Sequence, residues 1–238
     1  SGIDFNTTPP TILTNSSMNT FEGAASISDK NGDLLFYSDG DTIWNKSHNP
    51  MLNATGLKGH SSATQSCLIT PYPGSEKKYY IFTVGKESDY EGLHYSIIDM
   101  RLDTDMGGID SFKNIMLTDS VSEKLCGIIH SNGYDYWIVT RKASSSIFHS
   151  YLVSCDGISS TPVISDAGGI YSDQGYMKPS KDGKMIISAE LATNGVVQSF
   201  DFDNTNGLVS FNSIISQSTS KFYYGVEFSP DDAIIYVS

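Results

Sequence analysis

A unit of roughly fifty residues recurs along this chain, and a tandem period of that length restricts the accessible folds more than any other feature. Each copy has a small or apolar run, a Gly or Asp turn, then a β-branched and aromatic run. The copies are Ala24 to Tyr37 (AASISDKNGDLLFY), Ser66 to Phe82 (SCLITPYPGSEKKYYIF), Leu125 to Val139 (LCGIIHSNGYDYWIV), Tyr176 to Ile187 (YMKPSKDGKMII) and Gly225 to Tyr236 (GVEFSPDDAIIY). Their turn positions Gly32, Gly74, Gly133, Gly183 and Asp232 lie 42, 59, 50 and 49 residues apart.

Each copy reads as a hairpin, because Asn-Gly, Pro-Gly and Asp-Gly supply the positive φ that a tight turn between strands needs. A third strand follows in three copies, Leu93 to Asp99, Ile147 to Val153 and Val196 to Phe202, with Ser96, Ser150 and Ser199 at matching places. Fourth strands are expected at Phe112 to Leu117, Thr161 to Ser165 and Ser210 to Ile215. Four antiparallel strands per repeat make the blade of a β-propeller, an all-β fold. No window carries a helical apolar stripe, and a sandwich does not require such a repeat. The expected organisation is one incomplete propeller domain over 1–238, with blades near 21–60, 61–118, 119–168 and 169–218 and a partial fifth at 219–238. Since a propeller closes its ring to cover its edges, continuation past Ser238 is expected.

The 238 residues are 39% apolar, enough for a sizeable core. With 27 acidic against 15 basic side chains the net charge is -12, and no basic run is present to follow a phosphate backbone. Nucleic acid is therefore not an expected partner. No apolar stretch reaches the roughly 18 residues of a membrane span. Cys67, Cys126 and Cys155 are too few for a disulfide scaffold and lack zinc-site spacing. Abundant Ser, Thr, Asn and Gly with only 18% charged residues suits an extracellular protein.

The phrases FNTTPPTILTNSSMNTFEGAASISDKNGDLLFYSDG, GHSSATQS, KKYYIFTV, LHYSIIDM, DYWIVT, GYMKPSKDGK and YGVEFSPDD resemble the propeller region of large secreted surface proteins of Bacteroidetes. In that family a C-terminal sorting domain of the gliding-motility type is read by the type IX secretion system. The resemblance implies a seven-bladed ring, export by that route, and a place at the outer cell surface or in the medium. It carries no catalytic motif. The same resemblance brings in O-glycosylation at Asp-Ser/Thr followed by an apolar residue, a pattern met at Asp41-Thr42-Ile43 and Asp119-Ser120-Val121. Thr42 and Ser120 are the candidate positions.

Counting ten residues back from each turn gives Glu22, Thr64, Glu123, Asp173 and Phe222. This register begins the innermost strand, so the three acids are candidates for a channel-mouth site, for a ligand or as general acid and base. His60 is the further mouth candidate. The bland alternative is solvated carboxylates in loops of an acidic protein. Seven residues back, Cys67 and Cys126 read as buried small residues. The Asp-rich segments at 29–33, 103–107 and 201–207 lack EF-hand spacing and fall at turns, where Asp, Asn and Gly serve the backbone. No HExxH or GxSxG occurs, and no metal site or cofactor is expected.

Three functions fit these observations. The first is a non-catalytic secreted module for binding, adhesion or display, meeting a glycan, a surface protein or secretion components. The second is a carbohydrate-active enzyme using Glu22, Glu123 and Asp173. The third is cargo captured with export machinery.

Overall fold

The computed structural model describes residues 2–87, 89, 91–192 and 194–238, and among them there is no helix. The repeat is realised as five successive antiparallel sheets. The first holds Ala25–Ser28, Leu34–Ser38 and Ile43–Asn45. The second runs Cys67–Pro71, Lys78–Val84, Leu93–Asp99 and Ile115–Thr118. The third is built on Val121–Ile129, Tyr136–Lys142, Ile147–Ser154 and Val163–Asp166. The fourth is Met177–Pro179, Met185–Glu190, Val196–Asp203 and Leu208–Gln217, and the fifth pairs Val226–Phe228 with Ile235–Val237. The expected fourth strands are thus present; the first two begin three and two residues later than expected, and the third extends two residues beyond its expected range at each end. The predicted serine register holds: Ser96, Ser150 and Ser199 lie opposite Ile81, Val139 and Ile187 in the neighbouring strands.

Middle strands such as YYIFTV and WIVT are continuously apolar rather than alternating because each sheet buries both faces. Phe36 and Ile43 pack with Cys67, Ile81 and Ile98 between the first and second sheets. Tyr80, Phe82, Leu125, Ile138 and Tyr151 fill the second interface, and Cys126, Val139, Phe148, Ile186 and Phe200 the third. Ile187, Ala189, Val197 and Val226 form the fourth. Each fully buried large side chain contributes about 1.5–3 kcal/mol relative to exposure, so the sheet-to-sheet contacts hold the repeats together. Gly207 is required here: its φ is +75°, and a Cβ would sit 2.6 Å from the Trp137 ring.

Two elements had no counterpart in the repeat reading. A hairpin of Gly2–Asp4 and Thr11–Leu13 lies against the first sheet, and Ile43–Asn45 gives that sheet a third strand. At the axis the first strands converge. The Gln65 amide donates to the carbonyls of Leu125 (2.9 Å) and Met177 (3.1 Å), while its oxygen accepts from the N–H groups of Leu125 (3.3 Å) and Met177 (2.8 Å). One side chain thus ties the second sheet to the third and fourth.

Candidate functional site

The heads of the first strands bring the sequence-predicted acids into one region but give them different surroundings. Glu123 is 1% exposed. Its Oε2 accepts from Thr64 N (2.8 Å) and Thr64 Oγ1 (2.7 Å), and its Oε1 accepts from Glu87 N (2.8 Å). Asp173 is 5% exposed, and both carboxylate oxygens accept from Ser144 N, at 2.8 and 2.9 Å. Ser144 Oγ adds a third bond at 3.2 Å. Glu87 and Ser144 occupy corresponding loops, between the second and third strands of the second and third sheets. Each acid therefore fastens the head of its own sheet to the loop of the sheet before it, and Glu123 N donates to Asp173 O (3.1 Å) between them.

Glu22 is exposed, accepts from Ser62 Oγ (3.3 Å), and takes a short hydrogen bond from the Tyr224 hydroxyl. That hydroxyl lies 3.2 Å from Thr64 Oγ1. Burial and the Glu22 carboxylate together push the Tyr224 phenol above its ordinary range. His60 is half-buried and closes a local turn, its Nδ1 accepting from Ser62 N (3.0 Å), with no bond to any of the acids. Thr42 is half-buried with its hydroxyl donated to Asp41 Oδ2 (3.0 Å), and Ser120 is half-buried at φ 46°.

Beneath the mouth lies a buried charged cluster that hydrophobic patterning did not find. Glu190, fully buried, meets Arg141 Nη1 at 3.2 Å and Lys124 Nζ at 3.6 Å. Lys124 donates to the carbonyls of Gln174 (2.8 Å), Gly175 (3.0 Å) and Ala189 (2.6 Å). Desolvation holds its ammonium below the usual lysine range, opposed by the Glu190 charge. The available signal was three charges inside apolar strand runs, VSEKLCGII, WIVTRK and MIISAE. Desolvation, then the charges of Asp173 and Glu123, raises the Glu87 carboxyl.

This arrangement holds sheets together. Every carboxylate oxygen of Glu123 and Asp173 accepts from a backbone N–H of the chain, and the Thr64 and Ser144 hydroxyls add a bond each. Clefts of about 320, 270 and 540 Å³ are lined by none of Glu22, Glu123 or Asp173. Among the described residues no group of three or more His, Cys, Asp or Glu side chains is placed to hold a metal ion. Asp29 and Asp203 in the Asp-rich turns accept from backbone N–H groups two to four residues on, at 2.8 to 3.3 Å.

No family model matches the chain, and no curated protein does. Among solved structures it is similar to a candidate 6-phosphogluconolactonase from Bacteroides fragilis, at 13% identity with a TM-score of 0.55. The match covers 89% of this chain and 61% of that one. The chain is a β-propeller. It is also similar to a periplasmic gluconolactonase of Pseudomonas aeruginosa, at 15% identity and TM-score 0.45 over 63% of this chain and 44% of that one. A third similar structure is the Dos1 propeller, at 10% identity and TM-score 0.40 over 90% and 70%. The propeller spans about three fifths of the length of the first of these, and identities this low describe the fold alone.

Proposed function

We propose that this propeller is a non-catalytic module for binding or display, part of a seven-bladed ring on a secreted or surface-attached protein exported by type IX secretion. The engagement of Glu123 and Asp173 by three hydrogen bonds each from neighbouring residues carries the non-catalytic half of this reading. A glycosidase needs two carboxyl groups roughly 5 to 10 Å apart and free to exchange protons and meet substrate, whereas here proton transfer to either acid would break sheet-to-sheet bonds. The Ser-, Thr-, Asn- and Gly-rich surface and the resemblance to secreted Bacteroidetes propellers support the extracellular half. Purified chain incubated with aryl glycosides and with gluconolactone is expected to give no turnover above the buffer rate. Turnover abolished by Glu22→Gln with the fold intact would overturn the reading.

A further inference from the structure

The largest of the three clefts, about 540 Å³, lies away from the mouth, between the N-terminal hairpin and the first sheet. That volume falls within the roughly 300–1,000 Å³ of small-molecule sites. Two independent contacts hold it in shape. Ser17 N donates to the Tyr37 hydroxyl (3.0 Å) and Ser17 Oγ to the His48 carbonyl (2.8 Å), pinning the strap that follows the hairpin. At the other end the Asn6 amide presses on Gly32, where φ is +88° and a Cβ would lie 2.4 Å from Asn6 Oδ1.

Tyr37 is fixed from two further sides, stacked on Trp44 at 5.5 Å and 15° and 3.1 Å from His48 Nδ1 through its hydroxyl. His48 itself holds a φ of 65°, a strained value for a residue with a Cβ. The lining therefore includes a preset apolar and aromatic surface, Leu34 and Tyr37 with the His48 ring. Asn6, Asn15 and Asp33 also line the cleft, and their side-chain polar atoms have no hydrogen-bond partner among the described residues.

Charge narrows the occupant. No lysine or arginine lines the cleft, and the carboxylates of Asp4 and Asp33 do, which excludes phosphorylated or carboxylated ligands. Unengaged amide and carboxylate groups in one cleft with apolar and aromatic surface match a molecule with hydroxyls around its rim and C–H faces, each hydroxyl both donating and accepting. We infer that this cleft binds a neutral saccharide of one or two rings. The inference goes beyond the proposed function, because a propeller that binds only protein at its mouth would leave that reading intact and this one refuted.

Isothermal titration of the chain with maltose, cellobiose and lactose into the tens of millimolar tests it, with spermidine as the cationic arm. At least one disaccharide is expected to bind. Asp33→Ala and Asn15→Ala, at exposed residues whose side chains make no hydrogen bonds to the chain, are expected to weaken it about fivefold or more each. Lys113→Ala, outside the cleft, serves as the unchanged control. Absence of saccharide binding, binding of spermidine alone, or saccharide affinity indifferent to both variants in chains with unaltered melting would each overturn the assignment.

Discussion

Replacing Glu123 separates a structural carboxylate from a catalytic one by the sign of the stability change. In Glu123→Ala the Thr64 and Glu87 N–H groups lose their acceptor, and Thr64 is fully buried. A buried donor left unmatched costs about 1–3 kcal/mol. Glu87 N is only part-buried and regains water, while Thr64 Oγ1 can turn its proton elsewhere, so the sum is about 3 kcal/mol. For a chain of this size that lowers the melting temperature by about 6–12 °C. Glu123→Gln keeps the shape and one acceptor oxygen but sets an amide nitrogen against an N–H and removes the charge assistance, so about half that loss is expected. Urea denaturation with a check that the slope is unchanged measures both. Catalytic carboxylates are commonly held at a cost to stability, so removing one raises the melting point. A Glu123→Ala chain as stable as wild type, or more so, would refute the fastening role.

Thiol chemistry should divide the cysteines sharply. Burial pushes the Cys67 and Cys126 thiols up to about 12, and Cys155 is exposed, so a chromogenic disulfide reagent should titrate one thiol in the native chain and all three in denaturant. Two fast-reacting native thiols would contradict the packing. Desolvation lowers His94 and His149 below the ordinary 6.5, so the unfolded chain binds protons first. Their contribution is complete above about pH 6.5 and is lost as pH falls toward the folded values. The urea midpoint should drop between about pH 7.5 and 5.5, and the double variant His94→Gln, His149→Gln should flatten that slope.

The repeat was legible because turn chemistry and strand chemistry are local. Asn31-Gly32, Pro73-Gly74 and Asp182-Gly183 fix positive φ by themselves, and the runs they separate are too rich in β-branched and aromatic residues for another element. The hairpin at Gly2–Asp4 and Thr11–Leu13 was not legible: strands of three residues, GID and TIL, are too short to carry a periodicity, and only the contacts of Ser17 with Tyr37 and of Asn6 with Gly32 give it a place. The charged cluster of Lys124, Arg141 and Glu190 escaped for a related reason. A charge in an apolar run reads as a strand end until the carbonyls that solvate it are brought in from another sheet.

The register ten residues before each turn shows why acids sit there at all. A first strand starts beside the loop between the second and third strands of the preceding sheet, where part-buried N–H groups of that loop find acceptors. Where the loop supplies none, the next sheet does: Glu123 takes Glu87 N, and Asp173 takes Ser144 N. In the first sheet Asp39 Oδ1 already accepts from Asp41 N (3.0 Å) and Thr42 N (2.9 Å), and the following sheet carries Thr64 rather than an acid. After the fourth sheet, Gly195 N finds the Lys221 carbonyl (3.1 Å), and the register residue is the exposed Phe222. Glu22 follows no described four-stranded sheet and stands exposed with Tyr224 and Ser62. Four of the five register positions thus follow a single rule about loop donors, which accounts for the acids at 123 and 173, while Glu22 stands outside it.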